Sequence, residues 1–351
     1  MRGKGVAGTF VALLLASCGG GSGQPAAQQS PPPEVTIATA NNMLHTAEFV
    51  GVEKGFFLKH GVKVKLQVLN IGAEINKAMQ SSSAQFGGGS ITAIPTARQA
   101  GLNLTLFAPY MNSAITSTDD NALAVVARTD SGIKTGDWKS LVGKKIGLAV
   151  GGTGDEFVRA WMTKEGVGAS QVTFLNVAPG NQLAVIQDKS VDAIASWEPY
   201  QSIIMTKLGS SVFLFQRGGG MLGYILGLET TDEYRQAHPD IVQKMADALV
   251  ETEAWIRGHR NDAAVIATHW IPGLDVPSAE AAIQHLDFDP RISGCTVRAF
   301  ADSTKVLVAQ HKLKAEIPAD QQVVSQYVDQ AKKTEPQFFK DLPAIPGSCS
   351  A

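Results

Sequence analysis

Small polar residues follow the first predicted strand, at a point where a ligand could be held. Asn41, Asn42 and His45 come shortly after a strand that begins near Val35. An asparagine amide both donates and accepts hydrogen bonds, so the pair suits a polar, oxygen-bearing ligand, although an Asx turn or a helix cap would use the same side chains. His45 has no evident partner in the sequence, and it fits a packing residue at a helix start as well as a ligand contact.

Two glycine-rich segments each precede a predicted helix. Gly89 and Ser90 follow the third strand, and Gly152 and Thr153 belong to a Gly-Gly-Thr-Gly turn in the second half of the chain. Such turns bring backbone N–H groups to a helix N-terminus, where an anion or a carbonyl oxygen can be bound. A tight turn without any ligand would need the same glycines. The second turn is not a Walker loop, because no Gly-Lys-Ser or Gly-Lys-Thr follows it.

Trp197 and Glu198 come directly after a predicted buried strand. The indole could form an apolar wall of a binding site, and the carboxylate could accept a hydrogen bond from an amine or a ligand N–H. Packing at a hinge and an internal ion pair would explain the same two residues without a ligand.

Cys18 points to a different chemistry. It ends the run Leu15-Ala16-Ser17-Cys18, which follows a short positive head and an apolar stretch of about ten residues. This pattern is typical of a bacterial lipoprotein export signal, in which the cysteine thiol takes diacylglycerol; an ordinary signal peptide with a chance cysteine is the alternative. We expect residues 1–17 to be a signal peptide, and Cys18 to anchor the protein on the extracytoplasmic face of the cell membrane.

Two further cysteines, Cys295 and Cys349, remain after lipidation of Cys18. An even count in an oxidising compartment favours a disulfide between them, which would attach the C-terminal tail to the body of the protein. Two unpaired cysteines are the alternative. The seven histidines form no ligand-spaced pair with a cysteine or carboxylate, and no HExxH or CxxC motif occurs, so we expect neither a metal site nor a cofactor.

The composition is that of a folded globular protein. Hydrophobic residues make up 44% and charged residues 18%, and 30 Lys and Arg residues balance 32 Asp and Glu residues. No block of like charge indicates a nucleic-acid surface, so nucleic acid is not an expected partner. Residues 18–33 contain no aromatic or β-branched side chain and are predicted to be a flexible linker.

Strand and helix patterns alternate from Glu34 onward. A helix predicted over 46–59 follows the first strand, and a second series of alternating segments begins at Leu123. This rhythm favours an α/β fold with two mostly parallel sheets, each flanked by helices. From Asp240 onward the apolar residues keep a helical period, which predicts a helical C-terminal portion.

Three segments resemble the solute-binding proteins of nitrate, sulfonate and taurine type ABC importers. They are AEFVGVEKGFF at 47–57, LVGKKIG at 141–147 and VDAIASWEPY at 191–200, and the resemblance covers about 35–336. These importers' binding proteins belong to the type 2 periplasmic-binding-protein superfamily. Relatives also bind aromatic acids, vitamins and pyrimidine precursors, so the resemblance does not identify the ligand.

The resemblance implies a two-lobed clamshell that closes on a small solute. We place the two crossings between the lobes near 113–121, which is rich in Ser, Thr and Asp, and near 217–227, which contains three successive glycines. The predicted lobe boundaries are 34–113 with 223–351 for lobe 1 and 114–222 for lobe 2.

Crossing segments line the cleft floor in this fold, which adds Tyr110 and Met221 to the candidate ligand contacts. No arginine lies in the candidate loops, and Arg217 is the only guanidinium expected near the cleft. Because charge-assisted contacts are the usual way to hold a small oxyanion, an organic solute with a polar end is favoured over bare nitrate.

We therefore expect a monomeric, non-enzymatic binding protein that captures a sulfonate, carboxylate or heterocyclic solute and delivers it to an ABC permease and its ATPase subunit. One alternative is a pyrimidine-precursor synthase-like enzyme on the same fold, with His45 as its reactive histidine. The lipoprotein signal counts against it, as does the lack of a nucleophile and base at motif spacing. An exported solute sensor is the other alternative.

Overall fold

Two five-stranded sheets organise the computed structural model, which describes residues 31–69 and 72–350. The strands of the first sheet are β1 (Glu34–Ala40), β2 (Lys63–Leu69), β3 (Phe86–Ser90), β4 (Leu104–Met111) and β10 (Leu226–Thr231). Those of the second sheet are β5 (Leu123–Arg128), β6 (Lys145–Leu148), β7 (Thr173–Asn176), β8 (Ala193–Trp197) and β9 (Val212–Arg217).

The two sheets share one topology. Their strand orders are β2-β1-β3-β10-β4 and β7-β6-β8-β5-β9, so the second sheet repeats the arrangement of the first. In each sheet a single strand, β10 or β5, runs antiparallel to both of its neighbours. The predicted α/β fold with two mostly parallel sheets is confirmed, and each sheet with its covering helices is called a lobe below.

The chain passes between the lobes twice. It leaves the first sheet after Met111 and returns to it at Leu226. The buried carboxylate of Asp120, on the outgoing segment, accepts hydrogen bonds from the backbone N–H groups of Gly220 and Met221, on the returning segment, at 2.9 and 2.8 Å. The two crossing segments are therefore tied to each other. The lobe boundaries predicted from the sequence fall within these segments and stay a prediction.

Helices cover the sheets and make up most of the chain after β10. Their bounds are α1 (Thr46–Glu53), α2 (Phe56–Lys59), α3 (Gly72–Gln80), α4 (Ala93–Gln99), α5 (Thr153–Lys164), α6 (Gln182–Gln187), α7 (Tyr200–Leu208), α8 (Asp232–Ala237), α9 (Pro239–Gly258), α10 (Arg260–Trp270), α11 (Val276–Ile283), α12 (Gly294–Ala309), α13 (Ala319–Gln322) and α14 (Gln326–Thr334). The helical C-terminal portion is as predicted. The single helix expected over 46–59 is wrong, because Gly55 adopts a φ of +73° and separates α1 from α2.

The core fills both faces of the first sheet. Side chains alternate along β4, so neighbouring residues enter different layers. Phe107 packs towards α14, where its ring centroid lies 5.9 Å from that of Tyr327. Leu106 belongs instead to the apolar cluster that contains Phe300 of α12. This double cover makes the first sheet a buried platform whose strand ends can position a site.

Cys295 and Cys349 form a disulfide, with their Cα atoms 4.6 Å apart. The bond joins the first turn of α12 to a short 3-10 helix, Gly347–Cys349, near the end of the chain. The predicted attachment of the C-terminal tail is therefore present. The predicted signal peptide, Cys18 and nearly all of the predicted linker lie outside the described residues. Among the helices that are described, none has the length and apolar character to cross a membrane.

Candidate functional site

A cleft of about 200 Å³ lies between the lobes and receives side chains from both. The first lobe contributes the segment after β1, part of α3 and the end of β3, and the second lobe contributes the start of α5 and the end of β8. Ligands in open α/β sheets bind at such strand ends. Six residues proposed from the sequence line this cleft: Asn42, His45, Gly89, Ser90, Thr153 and Trp197.

The other proposed residues lie elsewhere. Tyr110 is fully buried within β4, and Asn41 and Gly152 lie beside the cleft-lining residues without lining the cleft themselves. Met221 lines a second, adjoining cavity. Glu198 is fully buried, and Arg217 Nη1 lies 2.8 Å from its Oε1.

The carboxylate that was expected to meet a ligand amine therefore pairs with an arginine inside the second lobe. Burial raises the pKa of Glu198 to about 7, against the opposing effect of the Arg217 guanidinium. Arg217 also donates a hydrogen bond to the Asn121 carbonyl oxygen at 3.0 Å. The guanidinium expected near the cleft is consequently engaged by the protein itself.

The glycines near Ser90 do not form the predicted turn, because they lie within strand β3. Their role is close packing on both faces of the strand. A Cβ atom on Gly88 would lie 2.5 Å from the His45 ring, and a Cβ atom on Gly89 would lie 2.0 Å from Glu229 Oε2. Because Gly88 and Gly89 carry no side chains, His45 and Glu229 can both approach the backbone of β3.

His45 belongs to a buried polar cluster at the edge of the cleft. Its Nδ1 lies 3.1 Å from Glu48 Oε2 and 2.9 Å from the Tyr110 hydroxyl oxygen. The Thr39 hydroxyl donates a hydrogen bond to the same Glu48 carboxylate. Burial and the Glu48 carboxylate raise the pKa of Tyr110 well above its usual value. The i, i+3 spacing of His45 and Glu48 at the start of a helix was a signal available in the sequence.

Glu229 lies on β10, behind the cleft wall formed by Gly89 and Ile75. It is fully buried, and neither carboxyl oxygen has a hydrogen-bond partner among the described residues. Burial, followed by the nearby Glu48 carboxylate, raises the pKa of Glu229 to about 8. The sequence of this strand, LGLETT, gives no indication that Glu229 is buried. Glu229 was therefore not predicted as a residue of the site.

Sequence reasoning also missed Asn76 and Tyr224, which line the cleft. Asn76 lies within α3, a helix that was not considered as a source of ligand contacts. Tyr224 lies in the irregular returning segment, is buried, and lines the cleft together with Thr153. With Trp197 on the opposite lobe, Tyr224 gives the cleft two aromatic walls.

The polar groups of the cleft are mainly neutral. Its lining in the described residues includes no lysine or arginine side chain. Arg159 of α5 is the guanidinium closest in sequence to Thr153, and it pairs with Asp155 at 2.6 Å. The N-terminus of α5 reaches the cleft at Thr153, and the first N–H groups of a helix have no partner within it. Amide, hydroxyl and backbone groups therefore dominate the site.

The sequence also matches a known protein family. Residues 42–263 match the family described as "NMT1/THI5 like", which is more than half of the 351-residue chain. The chain belongs to the NMT1/THI5-like family. A relative named "Putative aliphatic sulfonates-binding protein", from Bacillus subtilis, is 24% identical to this NMT1/THI5-like chain over 277 residues, which are 79% of the chain and 80% of the relative.

Solved structures share the fold of this NMT1/THI5-like protein. The periplasmic aliphatic sulphonate binding protein SsuA from Escherichia coli superposes with a TM-score of 0.70 at 16% identity, covering 83% of this chain and 97% of SsuA. The desulfurization enzyme DSZB superposes with a TM-score of 0.63 at 15% identity, covering 86% and 99%. The predicted resemblance to type 2 solute-binding proteins is confirmed, and the fold also carries an enzyme.

Proposed function

We propose that this protein is the solute-binding component of an ABC importer and captures a small organic solute between its two lobes. The observation that carries the proposal is the cleft itself, which both lobes line at their strand ends. The NMT1/THI5-like family and the sulfonate-binding relative support the same function. The partners would be the permease and its ATPase subunit, and the protein would act as a monomer.

The cleft suits an organic solute with one polar end. The Asn42 Oδ1 atom caps a short helix by accepting a hydrogen bond from Leu44 N–H, and Ser90 Oγ accepts one from Ala93 N–H, so the Asn42 amide nitrogen and the Ser90 hydroxyl hydrogen are the donors that the first lobe offers. Thr153 offers a hydroxyl at the N-terminus of α5. The partial positive charge of that helix end favours a polar oxygen or an anionic group. Trp197 and Tyr224 supply apolar surface. A sulfonate, a carboxylate or a heterocycle fits these features better than bare nitrate, which has no apolar part.

Closure of the lobes would complete the site. Lys312, which follows α12 in the first lobe, reaches Glu156 of the second lobe at 2.7 Å and donates to the Gly151 carbonyl oxygen at 3.0 Å. This ion pair joins the lobes beside the cleft. A solute stabilises the closed form only by binding it more tightly than the open form. The permease would then recognise the closed form.

Lipidation at Cys18 would hold this binding protein on the extracytoplasmic face of the cell membrane, after removal of residues 1–17. The signal pattern before Cys18 supports this location. A tether of this kind keeps a soluble clamshell near its permease.

Binding without catalysis is favoured over an enzymatic function, although DSZB shows that the fold can carry an enzyme. His45 would be the reactive residue of an enzyme, but it is buried, and its Nδ1 contacts Glu48 and Tyr110 within the protein. A solute recovered chemically unchanged after incubation with the protein supports binding alone. An exported sensor would bind its solute in the same way. Permease and ATPase genes next to the gene for this protein would distinguish an importer component from a sensor.

A thermal-shift screen with sulfonates, aromatic carboxylates, pyrimidines and nitrate tests the proposal. We expect a compound from one of the organic classes to raise Tm, because a ligand that binds only the folded state stabilises it by mass action. Trp197→Ala is expected to weaken binding of that compound about tenfold, through loss of an aromatic wall. Isothermal titration calorimetry measures the change.

Trp255→Ala is the matched control for Trp197→Ala. Trp255 lies on α9, where its ring stacks on His259 with centroids 4.6 Å apart, and it does not line the cleft. Binding by the Trp255→Ala variant should equal that of the wild type. Unchanged affinity in Trp197→Ala, or a screen in which none of the four classes raises Tm, would count against the proposed function.

A further inference from the structure

Glu229 places an unpaired carboxyl group directly behind the cleft. Its side chain is fully buried, and neither carboxyl oxygen has a hydrogen-bond partner among the described residues. Oε2 lies 2.0 Å from the position that a Cβ atom of Gly89 would take, and Gly89 lines the cleft. Buried polar groups in proteins are nearly always paired, so this carboxyl group calls for a partner that the described chain does not supply.

The groups packed around Glu229 bring no positive charge to it. Ile75 and Met79 of α3 are apolar and pack against the face of β3 on which the carboxyl group lies. The titratable groups that interact with it are both acids, Glu48 of α1 and Tyr110 of β4. Burial, followed by the Glu48 carboxylate, raises the pKa of Glu229 to about 8. The carboxyl group therefore keeps its proton at neutral pH unless a cation approaches it.

The positive groups at the cleft are already engaged. His45 is the one side chain in the described lining that can carry a positive charge, and its Nδ1 lies 3.1 Å from Glu48 Oε2. The first turn of α5 contains Asp155 and Glu156, which reduce the partial positive charge that this helix end presents. Asp155 also accepts a hydrogen bond from the Gly151 N–H at 2.9 Å. An anionic solute would meet no free cationic side chain in the described lining.

Two aromatic side chains line the same cleft, Trp197 from the second lobe and Tyr224 from the returning segment. The face of an aromatic ring attracts a cation, and the attraction is stronger when water is excluded. Because the cleft is only about 200 Å³, a positive charge inside it lies close both to the rings and to the wall in front of Glu229. The rings and the carboxyl group therefore favour the same sign of charge.

We propose that the bound solute is an organic cation, whose positive charge is held between the two aromatic rings and the Glu229 carboxylate. This inference rests on the proposed function, and it selects a protonated nitrogen heterocycle or a quaternary amine over a sulfonate or a carboxylate. A nearby cation favours the ionised form of a carboxyl group, so Glu229 releases its proton to solvent as the solute binds. The cation then replaces the proton as the partner of the carboxylate.

Two sets of isosteric compounds that differ in charge test the inference. The first set is benzamidine, benzamide and benzoate, and the second is choline and 3,3-dimethylbutan-1-ol. Isothermal titration calorimetry at pH 8 gives Kd for each compound. In at least one set, the cation is expected to bind the wild type about thirtyfold more tightly than its uncharged isostere. In Glu229→Gln this preference should fall to about threefold, because only the aromatic rings still favour the cation.

The pH dependence of binding gives a second measurement. From pH 6 to pH 8, the affinity of the wild type for the preferred cation is expected to rise about tenfold, because less work is needed to remove the Glu229 proton as the pH approaches its pKa. The same cation keeps its charge over this range. In Glu229→Gln the rise should be lost, although His45 and Glu48 are still present.

Glu253→Gln is the matched control. Glu253 of α9 is also fully buried, and its carboxyl oxygens also have no hydrogen-bond partner among the described residues. It does not line the cleft, and the charged groups that act on it are Arg257 and Asp289. Glu253→Gln should bind the cations as the wild type does, with the same rise in affinity between pH 6 and pH 8.

The inference would be overturned if neither cation bound more tightly than its isosteres, or if Glu229→Gln bound the cations as Glu253→Gln does. The wild-type comparison decides the question even if Glu229→Gln does not fold. If a sulfonate or a carboxylate from the thermal-shift screen binds and the cations do not, the proposed function stands and only the inference fails.

Discussion

Raising the pH from 5 to 9 is expected to lower the free energy of unfolding, and Glu229→Gln is expected to remove the part of that loss that is due to Glu229. Burial, followed by Glu48, raises the pKa of Glu229 from 4.5 to about 8. Between these values the folded state binds a proton that the unfolded state has released, so stability falls as the pH rises. At about 1.4 kcal/mol per pH unit, the loss due to Glu229 is on the order of 4 kcal/mol.

Urea unfolding at pH 5, 7 and 9, followed by circular dichroism, measures this difference. Glu198 and Asp119 also have raised pKa values, of about 7 and about 8, and burial raises the pKa of Glu253 well above its usual value. The comparison isolates Glu229, because these three carboxyl groups are present in both proteins. Glu233→Gln changes an exposed carboxylate on α8 and should follow the wild type. Parallel pH profiles for the wild type and Glu229→Gln would show that Glu229 does not titrate as its burial implies.

Removal of the disulfide is expected to lower the free energy of unfolding by about 4 kcal/mol. Cys295 and Cys349 are 54 residues apart in the sequence, so their bond closes a long loop in the unfolded chain. Closing a loop of that length reduces the entropy of the unfolded state and thereby stabilises the folded one. The double variant Cys295→Ser with Cys349→Ser gives this value in denaturant unfolding.

A reducing agent provides the control for the disulfide prediction. It should shift the unfolding midpoint of the wild type towards that of the double serine variant, and it should leave the variant itself unchanged. A double variant as stable as the wild type would mean that the bond contributes nothing to stability. Ligand binding should survive, because neither cysteine lines the cleft or the second cavity.

The order of strands and helices could be predicted because it depends on local patterns. Alternating apolar residues mark strands such as Val64, Leu66 and Val68, and the rhythm of such segments is enough to predict two α/β units. Local patterns were insufficient at Gly55, whose left-handed conformation ends α1 within a segment that reads as one helix. They also failed at β3, where glycines that resemble a turn serve close packing in a strand.

The candidate site could be predicted in part, wherever its residues lie at the end of a strand or just after it. Asn42, Ser90 and Trp197 were found in this way. The pairing of Glu198 with Arg217 could not be found, because the ends of β8 and β9 come together only through β5 between them. The second cavity, beside Met221, is also lined by Val306 and Leu307 of α12. This contribution depends on long-range packing, which a single sequence does not reveal.

Capture of a solute between the lobes is tested most directly by small-angle X-ray scattering. The measurement compares the protein alone with the protein saturated by the compound that raises Tm most in the screen. Binding is expected to reduce the radius of gyration, because closure brings the two lobes together around the cleft. An unchanged radius with a compound that calorimetry shows to be bound would contradict capture by closure of the lobes.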